Sequence, residues 1–370
     1  MGCVSVPDVA IAHDYLTQRG GAERVVLAMA RTFPRASIYT TLYDPNSTYP
    51  EFQQRDIRAS WLNRFAIFRR SHRAALPLLA AAVSSTRVDA ESLIVSTSGW
   101  AHGYRVPGAK IVYCHSPARW LYQTDAYFGT RAYTPRRIAV EGLRPFLERW
   151  DRRNAATASK YFANSTEVMR RIKATYGIEA EVLPAPHSIR PGVVPDEPDL
   201  PKSFDSSEGF YLCVSRLLPY KNVDVLVEAV SSLNYPLVIV GAGPEERRLR
   251  RSVRANVVML KDLTDRQMYW LYARCTALLS ASYEDYGLTP VEAAAFGKPS
   301  VVLRWGGFLD TVVEGETGLF FDQPTPDHVR AALIRSRKHL WDSRAIESHA
   351  DEFSEVRFAE RLVSALSELT

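Results

Sequence analysis

The sequence predicts an α/β protein of two Rossmann-like domains whose parallel sheets face each other across a cleft. Three observations predict it. Short apolar runs alternate with amphipathic helical stretches from one end to the other. The alternation is interrupted once, where six prolines fall between Pro184 and Pro201. The length, 370 residues, suits two domains of ordinary size.

The elements follow in order. DVAIAH (8–13) reads as a buried parallel strand, because such strands are apolar on both faces. GGAERVVLAMARTF follows, with Ala22, Val25, Val26, Met29, Ala30 and Phe33 at helical spacing on one face. Further strands are expected at 92–98, 110–115 and 161–165, with helices over 58–83, 136–157 and 166–176. The proline-rich stretch cannot be helix or central strand, since proline lacks an amide donor and fixes φ. Residues 186–208 are therefore read as a linker between an N-terminal domain (1–185) and a C-terminal one (209–345). Beyond it, strands are expected at 210–215, 236–243, 256–260, 277–282 and 298–303, with helices at 222–233 and 265–275. Residues 346–370 are read as a C-terminal helix.

Composition narrows the class. Apolar residues at 46% and charged residues at 24% describe a globular protein that needs no disulfides. Cys3, Cys114, Cys213 and Cys275 form no C-x-x-C pair, which argues against a zinc site and a disulfide framework. The first residues lack the basic region of a secretory signal. Val6 stands where a myristoylation motif needs Ser or Thr. No apolar run approaches the about 20 residues a spanning helix requires. The expectation is a cytoplasmic protein, peripheral on the inner membrane if it touches one. Residues 1–185 hold 25 basic and 15 acidic side chains, and the remainder 21 and 26. An anionic partner for the first half follows. The segment 61–79 sets Arg64, Arg69, Arg70 and Arg73 among Trp61, Phe65 and Phe68. On one amphipathic helix this suits an anionic membrane surface, and equally a solvated face with snorkelling edges.

The chemistry concentrates in ASYEDYGLTPVEAAAFGKP (281–299). Glu284 ends a strand-to-helix loop, and Glu292 lies over one turn into the helix that starts near Gly287. Carboxylates accept hydrogen bonds from vicinal hydroxyls, which suits ribose or hexose. Free first-turn amides near Gly287, Leu288 and Thr289 form a site for anions or sugar hydroxyls. Arg216 and Lys221 follow the strand at 210–215 and can neutralise phosphate. Gly20 and Gly21 let backbone approach a phosphate closely at a helix start.

These segments resemble the retaining GT-B glycosyltransferases, whose hallmark is two glutamates separated by seven residues. The resemblance runs through HDYLTQRGGAERV (13–25), YCHSPARWLYQ (113–123), FANS (162–165), VSRLLPYKN (214–222), VGAGPEERRLR (240–250) and GETGLFF (315–321). The N-terminal motifs look most like bacterial mannosyltransferases of surface polysaccharide and glycolipid synthesis. The resemblance implies a hexosyltransferase using a nucleotide sugar, GDP-mannose first, and a glycan or lipid-linked acceptor. It implies that Glu284 and His115 contact the transferred sugar, Glu292 the ribose, and Arg216 with Lys221 the diphosphate. It also implies retention of configuration and a last helix crossing back to the N-terminal domain, which would permit closure.

Departures from the family pattern are Tyr286 for the usual Phe, whose added hydroxyl should matter little, and Asp310 for the glutamate of G-G-x-x-E. Arg304 precedes that loop without an evident role. No D-x-D triplet occurs, so transfer is expected to be metal-independent, with no bound cofactor. The alternatives are a UDP-sugar-dependent glucosyl- or galactosyltransferase, a non-transferring GT-B relative such as an epimerase or phosphorylase, and a non-enzymatic Rossmann protein binding nucleotide or nucleic acid. Against the last, no G-x-G-x-x-G follows the first strand and no RNA-binding motif is visible. No nucleic-acid partner is expected.

Overall fold

The computed structural model describes residues 8–123, 135–189, 193–202, 204, 207 and 209–369. Cys3, the start-of-chain readings and part of the 186–208 linker lie outside them. The chain divides into two compact units. One comprises Met1–Pro186 with Glu355–Thr370, the other His187–Ser354.

The first unit holds a seven-stranded sheet in the order β3-β2-β1-β4-β5-β6-β7. The strands are β1 (Val9–His13), β2 (Ile38–Thr40), β3 (Ile57–Ala59), β4 (Ser92–Thr97), β5 (Lys110–Cys114), β6 (Lys160–Ala163) and β7 (Glu181–Val182). All pairings are parallel. β1, β4 and β5 are buried along their full length, as covering helices on both faces require. The sequence reading missed β2, β3 and β7, which have two or three residues each and carry almost no periodicity.

The helix Gly21–Thr32 forms as expected, but burial runs unbroken from Val25 to Ala30 and includes Glu23. The helix Glu355–Ser367 packs Phe358, Leu362, Ala365 and Leu366 into this unit, where Phe358 meets the Tyr113 ring edge-on at 5.4 Å. Arg31 pairs with Glu355 at its N-terminal end. The C-terminal segment read as one helix is two, Ser343–Asp351 and Glu355–Ser367, and only the second belongs to this unit.

The expected helix over 58–83 is not continuous. Residues 57–59 are β3, and short turns follow at Trp61–Arg64, Ala66–Arg70, His72–Ala74 and Leu76–Leu78 before the helix Leu79–Ser85. Ser60 caps the first turn through its hydroxyl, Phe65 and Ser71 leave helical geometry, and Pro77 lacks an amide donor. The amphipathic helix that carried the membrane reading of 61–79 is therefore absent. Trp61, Phe65 and Ile67 are nonetheless exposed.

The second unit holds a six-stranded parallel sheet in the order β10-β9-β8-β11-β12-β13. Its strands are β8 (Phe210–Val214), β9 (Leu237–Val240), β10 (Val257–Leu260), β11 (Cys275–Ser280), β12 (Ser300–Leu303) and β13 (Gly318–Phe321). The helix Val223–Leu233 buries Leu226, Val227 and Val230. The helix Asp265–Arg274 starts with a capping box between Thr264 and Gln267, which satisfies two otherwise free amides. Cys114, Cys213 and Cys275 are buried free thiols, and burial pushes each up.

Each sheet reverses its strand order once, between β1 and β4 and between β8 and β11. Open parallel sheets bind ligands beyond the carboxyl ends of the strands at such a reversal. The residues singled out from sequence lie at these two places.

Candidate functional site

In the first unit the reversal point is built from buried polar groups. Asp14, just after β1, accepts from Thr97 Oγ1 (2.9 Å) and from the amides of Ser98 (2.6 Å), Trp100 (2.9 Å) and Ala101 (2.8 Å). Its carboxylate thus ties the end of β1 to the loop after β4. His13 Nδ1 lies 3.0 Å from Ser96 O, which can only accept, so this nitrogen carries a proton. Its Nε2 lies 3.8 Å from Glu23 Oε1. Burial pulls His13 down, but Glu23 and Asp14 outweigh it, and the net shift is upward from 6.5.

His115 sits immediately after β5. Its Nε2 lies 2.9 Å from Ser96 Oγ, which is itself 3.1 Å from His13 Nδ1. Ser96 thus bridges two histidines of opposite tendency. Burial and the neighbouring His13 charge hold His115 at about 3, so it is neutral near pH 7. Neutral imidazole can exchange hydrogen bonds with a sugar hydroxyl without carrying charge.

Gly20 and Gly21 open the helix Gly21–Thr32. A Cβ on Gly20 would come within 2.6 Å of Glu23 Oε2, whereas one on Gly21 would meet open space. Gly20 is thus explained by packing, and Gly21 leaves backbone accessible. Tyr15 stacks on His72 at 4.1 Å and on Trp100 at 5.7 Å. Burial, aided by Arg73, holds His72 at about 4.

In the second unit, the loop after β8 carries Arg216 and Lys221. Two neighbouring loops hold it. Leu217 N donates to Ala242 O (2.9 Å), and Asn222 Nδ2 donates to Ala281 O (2.9 Å). Gly241 passes so close to this loop that a Cβ would lie 1.9 Å from Ser215 O, and one on Gly243 would lie 2.4 Å from Leu217 O. From sequence, VGAG (240–243) reads equally as a weak phosphate loop or a plain strand-to-helix turn. Its glycines instead position the loop bearing the two cations.

Lys221 is buried and forms an ion pair with Glu284, which also accepts from Ser282 Oγ at 3.2 Å. The Arg216 guanidinium is exposed and has no partner among the described residues. Glu292 accepts from Tyr272 Oη at 2.7 Å. Gly287, at φ 87°, precedes the helix Leu288–Ala294, and the Phe308 ring leaves no room there for a Cβ. Leu288 and Thr289 form its half-exposed first turn.

Gly306 and Gly307 press against the backbone of Glu284 and Tyr286, and Gly307 N donates to Glu284 O (2.9 Å). Asp310 follows in the helix Phe308–Thr311. Tyr286 is buried, and burial followed by the charges of Asp310 and Glu292 pushes its hydroxyl well up. That hydroxyl is thus set among the site's acids. Arg304 holds Asp322 (2.9 Å) and Glu314 (2.7 Å), a clamp at the end of β12. Among the described residues no group of three or more His, Cys, Asp and Glu side chains is arranged to hold a metal ion, and no helix is long and apolar enough to cross a membrane.

Comparison with known proteins places this geometry. The structure resembles Anabaena Alr3699/HepE, solved in complex with UDP-glucose, at a TM-score of 0.70 and 16% identity over 98% of this chain and 100% of that one. The fold is GT-B. Residues 198–341 match the family Glycosyl transferases group 1, which spans most of the second GT-B unit. O-antigen chain mannosyltransferase C of Escherichia coli is 28% identical over 160 residues, 41% of this chain and 42% of that protein. D-rhamnosyltransferase WbpZ of Pseudomonas aeruginosa is 26% identical over 63% of this chain and 65% of its own length. The chain thus spans less than two thirds of these relatives. The family match lies within the second unit, and the relatives it accompanies include a mannosyltransferase and a rhamnosyltransferase.

Proposed function

We propose that this protein is a retaining, metal-independent hexosyltransferase that moves mannose from GDP-mannose to a glycan or lipid-linked acceptor in surface polysaccharide or glycolipid synthesis. The observation that carries the reading is the Lys221–Glu284 ion pair at the β8/β11 reversal, on the same loop as the exposed Arg216. In this reading Arg216 and Lys221 bind the donor diphosphate. Glu284 accepts from hydroxyls of the transferred hexose and Glu292 from the ribose. His115 contacts the hexose as a neutral imidazole. The C1–O bond to the diphosphate breaks, an acceptor oxygen bonds to C1, and the acceptor proton passes to the departing phosphate. The two cations stabilise the negative charge that develops on the leaving group.

The mannosyltransferase relative supports mannose. The Anabaena neighbour, solved with UDP-glucose, keeps a UDP-sugar as the second reading of the donor. Thermal-shift titration with GDP, UDP and their sugars, followed by transfer assays with EDTA present, tests the proposal. We expect stabilisation by one nucleotide family and turnover that EDTA leaves intact. Glu284→Gln should reduce kcat by about 100-fold or more while the fold persists, because it weakens a contact strongest in the transition state. Folded protein that no nucleotide stabilises and no donor turns over would overturn it.

A further inference from the structure

At the opposite end of β5 from His115 lies a second, unrelated groove of about 680 Å³. The β5 strand separates the two by roughly 13–17 Å at about 3.3 Å per residue, so the groove is not part of the site above. Its walls are the segment before β5 and the helix Pro135–Ala155. Arg105, Arg149 and Arg153 line it, all exposed and without an acidic partner among the described residues. Glu148, the nearest acid on that helix, is taken by Arg144 at 2.7 Å. Lys110, 3% exposed, also lines it, and its ammonium donates only to the backbone oxygens of His102 (2.9 Å) and Tyr104 (3.1 Å). One of its three donors is left over, and no carboxylate balances its charge among the described residues. Burial first, then the nearby Arg105, lowers Lys110 to about 8. The remaining wall sets the half-buried Trp150 and the 64% exposed Phe146 beside Val106, with Asn154 and Thr157 adding polar groups.

Three arginine forks around a buried ammonium cost stability in isolation, because like charges repel without compensation. Guanidinium forks match phosphate oxygens two at a time, and an adjoining aromatic wall takes an apolar substituent. The volume lies in the range of small-molecule sites. We propose that this groove is a binding site for a phosphate ester carrying an apolar group, separate from the donor site.

The probes are phenyl phosphate, followed by calorimetry, and vesicles of phosphatidylglycerol or phosphatidylcholine, followed by co-sedimentation, all at 0.15 M salt. We expect phenyl phosphate to bind the full chain, and the Arg149→Ala/Arg153→Ala variant to bind it about tenfold or more weakly. Arg149→Lys/Arg153→Lys should lie between. Arg216→Ala should bind as the parent does. Sedimentation with phosphatidylglycerol alone, lost in the double alanine variant, assigns the ester to a lipid headgroup. Phenyl phosphate binding without such sedimentation assigns it to a soluble ester. Equal binding of both probes by parent and double alanine variant, loss in Arg216→Ala instead, or no binding of either probe overturns the proposal. Both arginines are exposed and repel each other, so the variants should melt no lower than the parent, which is the control for folding.

Discussion

At the residue scale, the site of the first unit is a set of buried polar groups whose charges are distributed by contact. His13 and His115 share Ser96 yet shift in opposite directions. His13, raised in the folded state, contributes stability that is fully present below 6.5 and is lost as pH climbs through its folded value. His115, held at about 3, has the opposite sign: it costs stability as pH falls below 6.5, increasingly down to about 3. Urea unfolding of His13→Asn should therefore show a shallower fall in stability above pH 6.5 than the parent. Imidazole NMR should find His115 neutral from pH 5 to 8. A His115 signal titrating near 6.5 would contradict this assignment. Asp14 is a different case, since four strong hydrogen bonds converge on its carboxylate. Asp14→Ala leaves buried amides unsatisfied and should cost about 3 kcal/mol by chemical denaturation.

At the scale of elements, the long buried strands and amphipathic helices were legible because burial imposes a period on them. β1, β4, β5 and β8 and the helices Gly21–Thr32 and Val223–Leu233 all fall within the expected segments, and β11 begins two residues ahead of its own. The segment 57–78 was not legible. Its residues have helical composition, but Ser60, Phe65, Ser71 and Pro77 break the backbone ladder, and single residues outweigh average propensity there. The site shows the same division. Glu284, Lys221 and His115 were readable as residue types beyond strand ends, and Glu292 as one inside the helix that follows. The supporting groups Glu23, Ser96 and Tyr272 were not, because only the fold brings them near. Gly241 is the sharpest instance, since its need arises from a loop 26 positions earlier that the local sequence does not announce. Gly241→Ala should cost about 2 kcal/mol or more, because its φ of 152° and the Ser215 carbonyl both oppose a side chain. It should also weaken nucleotide binding more than any neighbouring exposed substitution, measured by calorimetry. Unchanged affinity would show that the loop bearing Arg216 and Lys221 does not hold the nucleotide.

At the scale of the whole molecule, neither unit is a simple half of the chain. Glu355–Thr370 belongs with Met1–Pro186, so the first unit is assembled from two separated segments. Deleting residues 355–370 removes the buried Phe358, Leu362 and Leu366, each contributing roughly 1.5–3 kcal/mol, and the smaller Ala365. Scanning calorimetry should then show the transition of the first unit lowered or lost and that of the second unit retained. Equal displacement of both would show that the units melt as one.

The order of synthesis turns that arrangement into a timing constraint. A ribosome adding about 5–20 residues per second completes the entire second unit before it reaches Glu355. Until then, Tyr113 and the helix Gly21–Thr32 lack the cover of the helix Glu355–Ser367, although translation of their own segment finished long before. The nascent polypeptide thus carries an unfinished N-terminal sheet while its C-terminal neighbour is already able to fold. Chaperone contact during translation should fall on the part made first.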